Sequence, residues 1–299
     1  MRLTLARSYL FAPGDHEQLL QKVFTTGCDA VVLDLEDSVR ESEKARARIL
    51  AAEVLRDREF DGRPIYVRIN PVGGSLWLED IQAITGCGLF GIRLAKAESR
   101  GQILALDQAL STMEAGANLP VGAIRLVPTI ETAAGLLAAK EMAGAPRVET
   151  MCFGMADFLR DIAGEADELG TATLYAQSKL VLVSRAAGLK PPIASAYTRL
   201  EDPGGLRATS EAARRLGFFG RSCIHPKQIP VVHEVFTPSA AAVSDAKAII
   251  AAFEAGAAGG IGALAMEGGQ FVDQAIVKRA EDVVRLAESL AHIAKGKRT

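Results

Sequence analysis

Arg125-Leu-Val-Pro-Thr-Ile-Glu131 and Met151-Cys-Phe-Gly-Met-Ala-Asp157, with the helical spacing of Thr132–Met142 between them, decide the fold. Each run is short and apolar, ends on a carboxylate and opens onto a stretch with helical periodicity. Strand, helix, strand at that spacing is a βαβ unit, which joins parallel strands. The same alternation recurs outward in both directions. Candidate strands are Ser8–Ala12, Ala30–Leu35, Ile65–Ile69, Gly91–Ala95, Ile124–Pro128, Met151–Met155, Pro192–Ala196 and Phe218–Ile224. Candidate helices include His16–Thr25, Glu41–Arg56, Gln102–Glu114, Thr132–Met142, Ala172–Ala187 and Gly205–Leu216. Near-continuous apolar strands fit a sheet buried on both faces. These units predict an α/β chain whose residues 1–235 form a closed (β/α)8 TIM barrel rather than an open doubly wound sheet.

Residues 236–299 are not needed to complete a barrel and read as a C-terminal helical extension. Pro238–Phe253 has the pattern of an Ala-rich helix, and Ala255–Gly269 that of a loop or frayed helix. Phe271–Ala294 has the pattern of a long amphipathic helix with a basic tail, Lys295–Arg298. The extension either caps its own barrel or reaches a neighbouring subunit.

The 299 residues are 49% hydrophobic and 23% charged, an ordinary globular balance. A net charge of −2 gives no electrostatic reason to expect nucleic acid or a membrane surface. No apolar run approaches the roughly 20 residues needed to span a bilayer. Met1-Arg-Leu-Thr-Leu-Ala is too short and too soon polar for a signal peptide. Cys28, Cys87, Cys152 and Cys223 form no CxxC pair or zinc spacing and read as reduced thiols of a cytoplasmic protein.

Functional groups in barrels sit at the C-terminal ends of strands and in the loops that follow. Here those positions hold Asp15, Asp34, Glu36, Asp37, Arg68, Asn70, Lys96, Glu98, Glu131, Asp157 and His225. The set is mostly oxygen donors, suiting Mg2+ or Mn2+ rather than zinc. Glu131 and Asp157, on adjacent strand ends, are the candidate metal ligands. For each, a helix-start acid favoured by the helix dipole is the plain alternative. Arg68 lies in the apolar run Ile65-Tyr-Val-Arg-Ile69, where an unpaired guanidinium would be costly. It must meet an acid, Asp34 or Glu36, or fork onto a carboxylate or enolate. Asp34, Glu36 and Asp37 need cations to balance them, and a base or a metal-water ligand could be among them.

Seven stretches together resemble the citrate lyase β-subunit-like family of the HpcH/HpaI aldolase superfamily. They are Arg7-Ser-Tyr-Leu-Phe-Ala-Pro-Gly14, Asp29–Val39, Tyr66-Val-Arg-Ile-Asn70, Lys96-Ala-Glu-Ser99, Pro128-Thr-Ile-Glu-Thr132, Phe153-Gly-Met-Ala-Asp157 and Cys223-Ile-His-Pro-Lys227. They run in the family's order, and the family is a (β/α)8 barrel. The resemblance implies that Glu131 and Asp157 ligate Mg2+ and that Arg68 contacts the substrate acid and its enolate. It implies that Phe11, Lys22, Ile224 and His225 hold a coenzyme A thioester. Gln18 stands where relatives often carry a second basic residue, and Ala95 interrupts the usual Leu-Pro-Lys-Ala-Glu run. Gly268-Gly-Gln-Phe-Val-Asp273 resembles the segment before the last helix of malyl-CoA and citramalyl-CoA lyases, where an aspartate enters the neighbour's active site. Asp273 matches it, with a helix N-cap as the alternative.

The implied reaction is retro-Claisen cleavage of a 3-hydroxy-3-carboxyacyl-CoA, such as citramalyl-CoA, malyl-CoA or citryl-CoA, into acetyl-CoA and a 2-oxo acid. Arg68, Asp37 and Asp273 are the candidate catalytic residues. The partners expected are the acyl-CoA and a small 2-oxo acid, with the chain assembled as a homotrimer or homohexamer. A malyl-CoA-type thioesterase and an accessory subunit of a citrate lyase-like assembly are the competing readings.

Overall fold

The computed structural model describes residues 5–56, 62–167, 170–258, 264–265 and 271–296. Residues 6–233 form one compact unit, and the described residues from Glu234 onward belong to a second.

The first unit alternates strand and helix until three helices follow one another before its last strand. In order these are β1 Ser8–Pro13, α1 Glu17–Lys22, β2 Ala30–Asp34, α2 Lys44–Arg56, β3 Ile65–Ile69, α3 Leu76–Ile84, β4 Gly91–Leu94, α4 Arg100–Gly116, β5 Arg125–Ile130, α5 Ala133–Ala143, β6 Cys152–Phe153, α6 Met155–Asp161, α7 Thr171–Ala186, α8 Pro203–Leu216, β7 Arg221–Cys223 and α9 Ile229–Phe236. The strands pair in the order β6-β5-β4-β3-β2-β1-β7, and every pairing is parallel. Pro192–Ala196, expected as a strand, forms none. Pro191 and Pro192 lack the N–H a ladder needs, so only single bridges remain, Ile193 to Cys152 and Ala194 to Arg221. They still join β6 to β7 and close the barrel: Phe153 N donates to Ile193 O at 3.1 Å, and Ser222 N to Ala194 O at 3.0 Å.

β2, Ala-Val-Val-Leu-Asp, is buried along its whole length, as a strand with helices outside and a packed interior must be. The interior face carries Tyr9, Ala30, Val32, Tyr66, Val127, Cys152 and Ile193 in one cluster, with Phe11 and Phe90 packed against it. Arg93 on β4 reaches Ser222 Oγ on β7, which is not its sheet neighbour, so that contact at 3.1–3.2 Å crosses the barrel. The four cysteines are all buried and unbridged.

Helices α3 and α9 match none of the helical segments named from the sequence, whereas α6 is the helical stretch that the Met151–Asp157 run opens onto. Short helices of two turns carry too few apolar repeats to stand out in sequence. In the second unit, α10 Ala240–Ala258 and α11 Gln274–Gly296 pack on each other. The stretch expected as loop or frayed helix contains β8 Leu264–Ala265, which pairs antiparallel with β9 Phe271–Val272. The expected last helix therefore starts later, at Gln274. Gly268–Gln270 and the tail residues 297–298 lie outside the described residues. Among the described residues no helix is long and apolar enough to cross a membrane.

Candidate active site

Parallel pairing sends every strand's C-terminal end to one rim, and in-register pairing sets Asp34, the last residue of β2, beside Arg68 on β3. The Asp34 carboxylate accepts both Arg68 Nε at 2.7 Å and Nη2 at 2.6 Å. It also accepts the backbone N–H of Glu36 at 3.0 Å and of Ser38 at 3.3 Å, which curls the following loop over the strand end. Burial opposes its charge, yet the Arg68 hydrogen bonds and guanidinium hold Asp34 below the usual carboxylate range. Arg68 Nη1 meets Glu36 Oε2 at 3.0 Å. The ion pair anticipated for Arg68 is therefore formed, with both named acids at once.

Lys96 sits just past β4 in the left-handed region, at φ 47°. Its ammonium pairs with Glu36 and lies 3.4 Å from Asp37 Oδ1. Burial pushes Glu36 above its ordinary value against the pull of Arg68 and Lys96. Burial opposes the charge of Asp37 too, yet its hydrogen bond with the Glu36 carboxyl and the cations Lys96 and Arg68 hold it low.

Glu131 follows β5 directly and is 3% exposed. Among the described residues its carboxylate accepts no hydrogen bond and makes no ion pair. Burial, together with the charges of Glu36 and Asp157, pushes it up to about 7, with Arg68 and Lys96 opposing. Gly154 makes room for it: a Cβ there would stand 2.5 Å from Glu131 Cγ and 3.4 Å from Thr129 Cγ2. Among the described residues, Thr129 Oγ1 is buried with no hydrogen-bond partner. Asp157 is not at a strand end, as expected, but in the first turn of α6, because Gly154 ends β6 and caps that helix. Its carboxylate meets Arg160 Nη2 at 2.9 Å and is 30% exposed.

This donor set fits a hard divalent cation. Among the described residues Glu131 is a buried carboxylate with no counter-charge in direct contact, and Asp157 is close enough for its charge to bear on it. Among the described residues no three His, Cys, Asp or Glu side chains converge into a closed cage. A cation held here would keep several positions for water or substrate oxygens, the usual manner of Mg2+.

The other expected site residues are spread around the rim and beyond it. The Phe11 ring is flanked by Arg68 and Arg93, whose guanidinium carbons lie 5.2 and 5.3 Å from its centroid. Lys22 is exposed at the end of α1 beside a shallow open depression shared with Gln18 and Gln21. Ile224, 44% exposed, and His225 follow β7, and His225 Nδ1 accepts the Lys227 N–H at 3.1 Å. Asp273, in the second unit, accepts the N–H groups of Ala275 and Ile276, both at 3.0 Å, so it caps α11 as the plain alternative held.

Arg93, Thr129, Gly154 and Lys44 were missed. Arg93 carried the signal that singled out Arg68, a cation inside an apolar strand. Lys44 opens a helix, where the dipole disfavours a cation, a hint that its charge is used elsewhere.

A family model described as HpcH/HpaI aldolase/citrate lyase matches residues 7–226. The chain is 32% identical over 286 residues to citrate lyase subunit beta of Leuconostoc mesenteroides subsp. cremoris, covering 95% of this chain and 94% of that protein. It is 33% identical over 308 residues to an L-malyl-CoA/beta-methylmalyl-CoA lyase of Cereibacter sphaeroides, covering 95% of each. Among solved structures it is similar to CitE from Mycobacterium tuberculosis in complex with magnesium, acetoacetate and coenzyme A. There the TM-score is 0.79 at 28% identity, over 96% of this chain and 100% of that one.

Proposed function

The chain belongs to the HpcH/HpaI aldolase/citrate lyase family, and from that premise we propose that it is a Mg2+-dependent carbon–carbon lyase cleaving a 3-hydroxy-3-carboxyacyl-CoA, such as citramalyl-CoA, malyl-CoA or citryl-CoA, into acetyl-CoA and a 2-oxo acid. The observation that carries the reading is the buried Glu131 carboxylate, free of hydrogen bonds among the described residues, within the field of Asp157 and beside the Arg68 cluster. The magnesium, acetoacetate and coenzyme A bound by the M. tuberculosis relative support it.

In this reading Glu131 and Asp157 hold the metal, which when bound supplies a Lewis acid for the carbonyl oxygen of the 2-oxo acid. Arg68, locked by Asp34 and Glu36, presents fixed positive charge where the enolate develops, with little reorganisation. Asp37, low in pKa and half-exposed, or Asp273 of a second subunit moves the proton between the substrate and solvent. Phe11, Lys22, Ile224 and His225 hold the thioester. The protein works in the cytoplasm as a homotrimer or homohexamer.

The likeness along nearly the whole of a citrate lyase subunit beta favours one further reading, a subunit acting within a larger lyase assembly. One assay separates these. Purified protein is given malyl-CoA, citramalyl-CoA and citryl-CoA with Mg2+, and both 2-oxo acid and free thiol are followed. A 2-oxo acid without thiol marks the lyase. Thiol released as well adds a thioesterase step. No product from any of the three removes the free-standing enzyme and leaves the assembly subunit.

A further inference from the structure

Lys44 is buried, 7% exposed, yet among the described residues it has no carboxylate partner. Its ammonium instead donates to two consecutive backbone carbonyls, Leu35 O at 2.9 Å and Glu36 O at 3.0 Å. Those carbonyls lie just past the end of β2, where the ladder no longer satisfies them. Burying an ammonium is costly unless its hydrogen bonds are made, so this site holds the lysine and the loop to one geometry.

The loop is also gripped from the side. Asn70 Nδ2 donates to Leu35 O at 3.0 Å and to Asp80 Oδ2 at 2.7 Å, and Asp80 Oδ1 accepts Arg48 Nε at 2.7 Å. On the loop's opposite side, the Glu36 carboxylate meets Arg68 Nη1 at 3.0 Å and accepts the Asp37 N–H at 2.9 Å. The carbonyl of Glu36 is thus tied to Lys44 while its carboxylate is tied to Arg68. A rotation of that backbone would carry the carboxylate away from the guanidinium.

We propose that Lys44 is a positioning residue for the active site, acting through Glu36 to orient Arg68 and Lys96 toward the substrate acid. This rests on the lyase reading for its catalytic consequence but not for its structural one.

The amides offer a direct readout. Leu35 N donates to Arg68 O at 2.9 Å and Val39 N to Glu36 O at 3.1 Å, and the N–H groups of Glu36, Asp37 and Ser38 all bond within the loop. Hydrogen exchange followed by mass spectrometry on the full chain therefore compares wild type with Lys44→Met and Lys44→Arg. Exchange in peptides covering 35–39 should rise at least tenfold in Lys44→Met, with β5 and α5 unchanged, and Lys44→Arg should recover part of the protection. Turnover in Lys44→Met should fall about 10–100-fold, the range typical of residues that orient a ligating or catalytic group, with Mg2+ affinity near that of wild type. Unchanged exchange, exchange raised evenly throughout the barrel, or local loosening with wild-type turnover would each overturn the proposal. If the wild type proves inactive on every thioester, the lyase reading fails, and the exchange result alone decides whether Lys44 sets the loop.

Discussion

Gly154 and Glu131 are in such close approach that a Cβ on the glycine would stand 2.5 Å from Cγ and 3.1 Å from Cδ of the glutamate. Gly154 has φ −106° and ψ 87°, outside the left-handed region, so it is the approach to Glu131 rather than the backbone conformation that asks for glycine. Gly154→Ala should displace the carboxylate and cost about 1–3 kcal/mol of overpacking. Mg2+ affinity should fall about tenfold or more, as it does when a ligand loses its orientation. Calorimetric titration of Mg2+, with circular dichroism as the folding control, checks both.

Glu131 also makes stability depend on pH. Its carboxyl is moved from 4.5 to about 7 by burial and by the charges of Glu36 and Asp157. A carboxyl whose folded value is raised binds its proton more tightly in the folded chain, so its contribution is full below 4.5 and is lost as pH rises through about 7. In chelator, wild type should lose stability relative to Glu131→Gln between pH 5 and pH 8, by roughly 3 kcal/mol at most. Added Mg2+ should restore the wild type and not the variant. Thermal melts of both proteins across that range test the sign.

Arg68 should not tolerate lysine. Its fork serves Asp34 through Nε and Nη2 and Glu36 through Nη1, all at 2.6–3.0 Å. A lysine is one point charge and cannot span both acids. Arg68→Lys leaves part of the buried Asp34 carboxylate unpaired, a loss of about 1.5–3 kcal/mol for hydrogen bonds to a charged group. Turnover should fall about 100-fold or more if the fixed charge also stabilises the enolate. Urea unfolding and steady-state kinetics on the same preparations check the two effects.

Asp273→Asn separates capping from catalysis. Asparagine caps a helix about as well as aspartate, so α11 should keep its N–H bonds at Ala275 and Ile276. The midpoint of thermal unfolding should hardly move, while turnover should drop and Mg2+ affinity stay near normal. Full activity in this variant would leave Asp273 with its cap alone.

The barrel was readable because buried parallel strands are uniformly apolar, as in β2, and because helices between them repeat at their own period. Pro192–Ala196 misled because its apolar residues do fill the seam between β6 and β7, but Pro191 and Pro192 cannot carry a ladder. Glu131 could be placed from the run before it. Asp157 could not, because the boundary between β6 and α6 depends on the backbone at Gly154 and not on hydrophobicity. The dependence of the rim on Lys44 and Asn70 was hidden as well. Both reach the loop through the Leu35 carbonyl, and a backbone acceptor leaves no mark in the amino-acid sequence.

We propose that Glu131 and Asp157 together hold the metal on which the lyase reaction depends. Mg2+ binding in the presence of pyruvate or oxaloacetate should be measured by calorimetry on wild type, Glu131→Gln and Asp157→Asn. One site per chain is expected in the wild type, with binding lost in both variants and each variant still folded. Wild-type binding in either folded variant would contradict it.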